Sequence, residues 1–253
     1  MTGSPPAAGA YLICATPRTG SSLLCGLLDS TGVAGHPESY FRAPDEPSYA
    51  ARWGITEPGG AFSDASYIAA ARAAGRTANG VFAARIMWGS LDRVLGRLRT
   101  LHPELAGRDT ALLDRAFGRT RVVYLHRADR VAQAVSWYRA EQTGVWFDTA
   151  PGGSPPPRGE LRFDFRQIHA LTARIQQHNQ AWRAWFGAAG VHPYVVTYER
   201  LDADPVGVTR DVLGFLGLAL LPGRQIQVRH RRLADDLNAD WIARYRAHLT
   251  DGA

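Results

Sequence analysis

Short apolar runs alternate with amphipathic segments along most of the chain. Apolar residues follow one another without a helical period in four places, which predicts β-strands at residues 11–14, 80–87, 121–125 and 194–198. Apolar residues recur at helical spacing between and beyond these runs, which predicts helices at residues 65–74, 90–99, 110–117, 164–187, 204–216 and 239–249. This alternation predicts an α/β fold, a single-domain doubly wound parallel sheet flanked by helices, with ligands bound at the carboxyl ends of the strands.

Three segments interrupt this pattern. Residues 1–9 have no basic start and no apolar core, so we expect a disordered leader rather than a signal peptide, followed by one domain at 10–250. Residues 35–60 are rich in Pro and Gly and are predicted to be irregular. Residues 149–159 predict a mobile loop, either a neutral surface insertion or a lid over substrate. No apolar run reaches the roughly 18–20 residues of a membrane span, so we expect a soluble cytoplasmic protein.

Composition narrows the choice of partners. The 253 residues carry a net charge of +6, and the sequence contains Arg but no Lys. The Arg residues are scattered apart from residues 229–232, and no stacking pattern or recognition helix accompanies them, so an anionic nucleotide is favoured over a nucleic acid. The His residues are dispersed, which predicts no metal site. The two Cys, Cys14 and Cys25, are predicted to be small buried hydrophobic side chains in a reduced protein.

Residues 16–22, which we call the anion loop, connect the first strand to a helix that runs to residue 30. Their sequence is Thr-Pro-Arg-Thr-Gly-Ser-Ser, and the free amides and positive dipole end at the start of the helix favour a bound anion. A loop that binds nucleoside triphosphates has a Lys before its Ser or Thr, whereas Gly20 stands there in this chain. The pattern therefore predicts a phosphate-like ligand and disfavours ATP as a phosphoryl donor. The candidate ligand-binding residues of the loop are Arg18, Thr19, Gly20, Ser21 and Ser22.

The anion loop resembles the 5′-phosphosulfate loop of sulfotransferases, which transfer sulfuryl groups from 3′-phosphoadenosine-5′-phosphosulfate (PAPS). A second segment, the strand at 121–125 with the loop and helix after it, is similar to the element that binds the 3′-phosphate in those enzymes. The resemblance implies that Arg127 and Ser136 contact this phosphate. The pair is chemically suitable, because a guanidinium grips a phosphate with two bonds and a hydroxyl adds one directed bond.

Further segments resemble one bacterial family, the trehalose 2-sulfotransferases. Ser136 follows Arg127 by nine residues, as in that family. Similar segments occur in the same order at residues 32–41, 79–88, 136–146, 182–186 and 232–245, so that the resemblance covers about residues 10–246. It implies a P-loop-like sulfotransferase fold, PAPS as donor, 3′-phosphoadenosine-5′-phosphate (PAP) as product, and an acceptor hydroxyl on a carbohydrate, glycolipid or small metabolite. It also implies a homodimer with the acceptor site near the subunit contact.

The predicted general base differs from that of the family. In the trehalose enzymes a Glu stands between Gly and Pro after the first helix, and His36 takes this place here, in Gly-His-Pro-Glu. An unperturbed imidazole titrates at about pH 6.5, close to the pH at which a base would act. Glu38 is the second candidate, either as the base itself or as the group that orients His36. Arg18 completes the predicted catalytic set by holding the 5′-phosphosulfate.

Other positions are assigned from the resemblance, each beside an ordinary structural role. Arg85 replaces a family Lys and would contact the sulfuryl group or the acceptor, or else be a charge at a strand edge. Trp88 and Trp146 would form an aromatic wall for the acceptor, or pack in the core. Tyr40 and Phe41 follow the predicted base and would shape the acceptor pocket.

Three other functions stay open. A nucleotide-binding protein that has lost catalysis is compatible with the change from Glu to His36. Another nucleotide-dependent transferase, such as a kinase, is disfavoured by the missing Lys. Nucleic-acid binding would use the basic cluster at 229–232, in which Arg232 is instead similar to a family Arg near the donor nucleotide.

Overall fold

The computed structural model describes residues 9–146, 161–228 and 236–251. The leader apart from Gly9, the predicted loop at 149–159 and Arg232 lie outside the described residues. The fold is α/β, as predicted, with a sheet of four parallel strands in the order β2-β1-β3-β4. These strands are β1 (Ala10–Ala15), β2 (Phe82–Met87), β3 (Thr120–His126) and β4 (Tyr194–Thr197).

The strand order creates a crevice at one edge of the sheet. Ala15 at the end of β1 pairs with Met87 of β2 on one side and with Leu125 of β3 on the other, so the carboxyl ends of these strands lie side by side. The chain passes from β1 to β2 in one direction and then returns across β1 to form β3. This reversal between β1 and β3 is the place where open α/β sheets bind ligands.

Helices cover both faces of the sheet. They are α1 (Ser21–Ser30), α2 (Glu46–Arg52), α3 (Asp64–Ala74), α4 (Leu91–Leu101), α5 (Asp109–Phe117), α6 (Arg130–Thr143), α7 (Phe165–Ala188), α8 (Tyr198–Ala203), α9 (Pro205–Leu216) and α10 (Asp236–Asp251). The predicted strands and helices are present, with ends that differ from the prediction by three residues at most. No helix of the described segments combines the length and the apolarity needed to cross a bilayer.

The central strand β1 is buried along its whole length and divides the core. Tyr11, Ile13 and Ala15 pack on one face with residues of α1 and α9, whereas Leu12 and Cys14 pack on the other face with residues of α3, α4 and α5. A third cluster joins α6, α7 and α10. Because both faces of a parallel sheet are covered, its strands are apolar throughout rather than alternating. Cys14 and Cys25 are buried and form no disulfide, in keeping with the predicted packing role.

The prediction that residues 35–60 are irregular is wrong for α2. This helix begins at Glu46, whose side chain is almost completely buried and accepts hydrogen bonds from Arg93 at 2.5 Å and from Arg97 at 2.8 Å. Both arginines belong to α4, so these ion pairs connect α2 to α4, two helices that are far apart in sequence. A buried carboxylate is tolerated only with such partners, and local composition could not reveal them.

Candidate functional site

The anion loop has an unusual backbone. Arg18 has a φ of +67° and is, in the described part of the chain, the one residue other than Gly with a positive φ. Gly20, two residues further on, has a φ of +79° and forms the N-cap of α1, so the N-cap residue offers no side chain to the first amides of the helix. A Cβ at Gly20 would lie 2.9 Å from a ring carbon of Tyr198, so only Gly fits. The loop thus presents the first amides of α1 at the carboxyl edge of the sheet, the arrangement that favours anions.

Internal hydrogen bonds hold this loop in place. The buried hydroxyl of Thr19 donates to the carbonyl of Thr16 at 2.9 Å, so this side chain serves the loop itself. The buried amide of Gln133 in α6 donates to the Thr16 hydroxyl at 2.9 Å and to the carbonyl of Pro17 at 2.6 Å. Gln133 therefore fixes the loop after β1 against α6, a role that the sequence pattern did not indicate.

Arg18 joins the two segments that were predicted to bind opposite ends of a nucleotide. Its Nε donates to the hydroxyl of Ser136 at 3.0 Å, and its Nη1 donates to the carbonyl of Trp146. Burial lowers the pKa of Arg18, and the positive charges of Arg127 and Arg139 lower it further. Arg127 and Arg139 are therefore close enough to Arg18 for their positive charges to act on it. Such crowding of like charge favours the binding of an anion.

Arg127 stands at the end of β3 and is supported by the segment after β4. Its guanidinium lies over the ring of Tyr198, 4.3 Å from the ring centroid, and its buried Nε makes no hydrogen bond to any described residue. Tyr198 also packs beside Gly20, so one ring contacts both loops. The carboxylate of the next residue, Glu199, accepts hydrogen bonds from the amides of Ala128 at 3.1 Å and Asp129 at 3.3 Å.

Sequence reasoning missed Tyr198 and Glu199 as part of the site. A signal was available, because both residues directly follow a strand that ends at the same edge as the anion loop.

Arg85 connects the anion loop to the segment of the predicted bases. It lies on β2, where its Nη1 donates to the hydroxyl of Ser22 at 2.8 Å and lies 3.5 Å from that of Ser21. Its Nε donates to the hydroxyl of Ser39 at 2.8 Å. The structure therefore brings Arg85 to the loop, rather than leaving it as an isolated charge at the strand edge.

The two candidate bases have different partners. His36 is exposed, and its Nδ1 lies 2.6 Å from Oδ1 of Asp29 at the end of α1. Glu38 is also exposed, and it accepts a hydrogen bond from the hydroxyl of Tyr49 at 2.6 Å. Burial, together with this bond to Glu38, raises the pKa of Tyr49 above its usual range. The ring of His36 is thus bonded to Asp29, a residue that the sequence pattern did not single out.

The predicted aromatic residues divide into two groups. Trp146 is 41% exposed, and it lies beside the anion loop because its carbonyl accepts a hydrogen bond from Arg18. Trp88 is half-buried and packs edge-on against Trp182, with the ring centroids 5.0 Å apart. Phe41 is 1% exposed and packs between the rings of Tyr67 and Phe117, so it belongs to the core rather than to the surface of a pocket. Tyr40 is also buried, and its hydroxyl donates to the carbonyl of His36 at 2.7 Å. Tyr40 thus supports the backbone of the candidate base.

The described residues contain no cluster of three or more His, Cys, Asp or Glu side chains that could hold a metal ion. Amides, hydroxyls and guanidinium groups surround the crevice between β1 and β3, whereas the imidazole of His36 pairs with Asp29 in the last turn of α1 and Glu38 bonds to Tyr49. These groups suit a multiply charged anion together with a proton acceptor.

The chain is similar to several known proteins. The profile of the family described as Stf0 sulphotransferase matches residues 10–248. A trehalose 2-sulfotransferase of Mycolicibacterium smegmatis is 30% identical, and one of Mycobacterium tuberculosis is 29% identical, each with 94% of both chains covered. A solved sulfotransferase from Alicyclobacillus acidocaldarius is 14% identical with a TM-score of 0.49, covering 95% of both chains. Because the family profile spans almost the entire sequence, the chain belongs to the Stf0 sulphotransferase family.

Proposed function

We propose that this protein transfers a sulfuryl group from PAPS to a hydroxyl of a small carbohydrate. The observation that carries the proposal is the contact between Arg18 and Ser136, because it joins the loop suited to the 5′-phosphosulfate with the helix suited to the 3′-phosphate. Membership of the Stf0 family supports a sulfate donor. The two trehalose 2-sulfotransferases among the relatives support a carbohydrate acceptor.

The described residues fit such a donor. Burial lowers the pKa of Arg18, and Arg127 and Arg139 lie close enough for their positive charges to lower it further. The buried Nε of Arg127 makes no hydrogen bond within the described chain, and it is available to a phosphate oxygen. When bound, PAPS supplies an activated sulfuryl group with a phosphate as its leaving group.

Each part of the site then has a task. The amides of residues 19–22 and the side chain of Arg18 hold the 5′-phosphosulfate, and Arg127 with Ser136 holds the 3′-phosphate. Arg85, bonded to Ser22, places a further positive charge beside the loop, where it would stabilise charge on the transferring oxygens. The acceptor hydroxyl must lose a proton during transfer, and His36 accepts it, with Glu38 as the second candidate.

Calorimetric titration with PAP tests the donor site directly, with ADP as the comparison ligand. We expect PAP to bind and ADP to bind much more weakly, because ADP lacks a 3′-phosphate. Arg127→Ala should weaken PAP binding by about 10- to 100-fold, since hydrogen bonds to charged groups contribute about 1.5–3 kcal/mol. The matched control is Arg244→Ala, because Arg244 also covers an aromatic ring, that of Phe163, at 4.2 Å. Equal affinity for PAP and ADP would refute the proposal.

A further inference from the structure

We infer that Asp29 is a positioning residue that holds His36 in the form needed for a general base. The inference rests on the proposed function. Its central observation is the 2.6 Å separation between Nδ1 of His36 and Oδ1 of Asp29.

Hydrogen bonds on both sides hold the backbone of His36. The amide of His36 donates to the carbonyl of Gly75 at 3.0 Å, and its carbonyl accepts from the hydroxyl of Tyr40 at 2.7 Å. Gly35 precedes it with a φ of +67°, and a Cβ there would lie 2.8 Å from atoms of Ala83 and of Gly75. The turn after α1 can therefore pass closely over β2, and this passage sets the imidazole beside the last turn of α1.

The contact with Asp29 selects one tautomer of the ring. An ionised carboxylate only accepts hydrogen bonds, so Nδ1 of His36 must carry the proton that it shares with Asp29. In the neutral ring Nε2 then has a lone pair and can accept a proton. The carboxylate also lies beside the positive charge that the ring acquires when it does so, as in Asp-His pairs of hydrolases.

Glu38 does not perform this task in the structure. Its carboxylate accepts a hydrogen bond from Tyr49, while the ring nitrogen Nδ1 of His36 is bonded to Asp29.

In the proposed reaction, the O–H bond of the acceptor breaks as its proton moves to Nε2 of His36. The acceptor oxygen forms a bond to sulfur, and the electron pair of the broken sulfur–oxygen bond leaves on the 5′-phosphate of PAP.

The tautomer can be measured without turnover. Long-range 1H–15N correlation spectra of the uniformly 15N-labelled protein distinguish a proton on Nδ1 from one on Nε2, and His36→Gln identifies the signal. We expect the Nδ1–H form of His36 in the wild type, and its loss or a mixture of forms in Asp29→Ala. The control Asp211→Ala removes a carboxylate with the same 48% side-chain exposure from another surface ion pair, with Arg200, and should leave the spectrum of His36 unchanged. An Nε2–H form in the wild type would overturn the inference.

Kinetics provide the second readout. Asp29→Ala and the size-conserving Asp29→Asn should each lower kcat on the order of 10- to 100-fold, within the range of general base catalysis, and leave the KM for PAPS nearly unchanged. In a His36→Glu background, where no tautomer needs to be set, Asp29→Ala should cause no such loss. An unchanged kcat in both Asp29 variants would overturn the inference. Absence of sulfuryl transfer by the wild type would instead refute the proposed function, and the spectra would still decide whether Asp29 sets the tautomer.

Discussion

Replacing Arg18 by Gly and by Ala separates its backbone strain from its ligand contacts. Arg18 has a φ of +67°, in the left-handed region that costs L-residues about 1–2 kcal/mol. Both variants lose the bonds to Ser136 and to the carbonyl of Trp146, and both remove a charge whose pKa is lowered by burial and by Arg127. In the folded protein Ala keeps the backbone strain and Gly relieves it.

We therefore expect Arg18→Gly to be more stable than Arg18→Ala by about 1 kcal/mol, after allowance for the greater flexibility of unfolded Gly. Urea unfolding followed by Trp fluorescence measures this difference, since the chain has 7 Trp. Both variants should bind PAP about 10- to 100-fold more weakly than the wild type, because each lacks the same charged hydrogen-bond donor. Equal stability of the two variants would show that the backbone at residue 18 is not strained. Unchanged PAP affinity would show that Arg18 does not contact the ligand.

Three further perturbations test other parts of the structure. Gly20→Ala should lose more stability and more PAP affinity than Gly54→Ala. Both positions have a positive φ, but only a Cβ at residue 20 would lie 2.9 Å from a ring carbon of Tyr198. Equal losses in thermal unfolding and in PAP titration would contradict this contact. Glu46→Gln should lower the free energy of unfolding by about 1.5 kcal/mol in urea titrations, because the neutral amide weakens charged hydrogen bonds from Arg93, which is 44% exposed, and from Arg97, which keeps its bond to Asp64. A change near zero would show that these ion pairs contribute nothing. Burial raises the pKa of Cys25 to about 11, whereas the thiol of an unfolded chain has a pKa of about 8.5. The free energy of unfolding should therefore fall as the pH rises from about 9 toward 11, and Cys25→Ala should make this fall smaller.

The sequence predicts the frame of the site well because local signals define it. The apolar run of β1, the small residues of the anion loop and the helix opening at Ser21 follow one another within a few residues. The same holds for β3, Arg127 and α6. The order of the strands is set by tertiary packing, and no local pattern contains it.

The contacts that organise the site were harder to predict. Asp29 and His36 meet only because the turn between them passes closely over β2, as the buried position of Gly35 shows. Tyr198 reaches both Gly20 and Arg127 across the sheet edge, from a short helix that the sequence pattern did not reveal. Side-chain pairs of this kind depend on several elements folding together, and for that reason the partner of His36 was assigned to Glu38 as an open possibility rather than to Asp29.

The most direct test of the proposed function is a transfer assay in which the purified protein is incubated with PAPS and a panel of sugars that includes trehalose. Mass spectrometry of the sugars and quantification of PAP measure both products of the reaction. We predict that at least one carbohydrate gains a single sulfuryl group, with an equal amount of PAP formed, and that Arg127→Ala slows both. PAP formation without a modified sugar, or no turnover of PAPS across the panel, would contradict the proposed function.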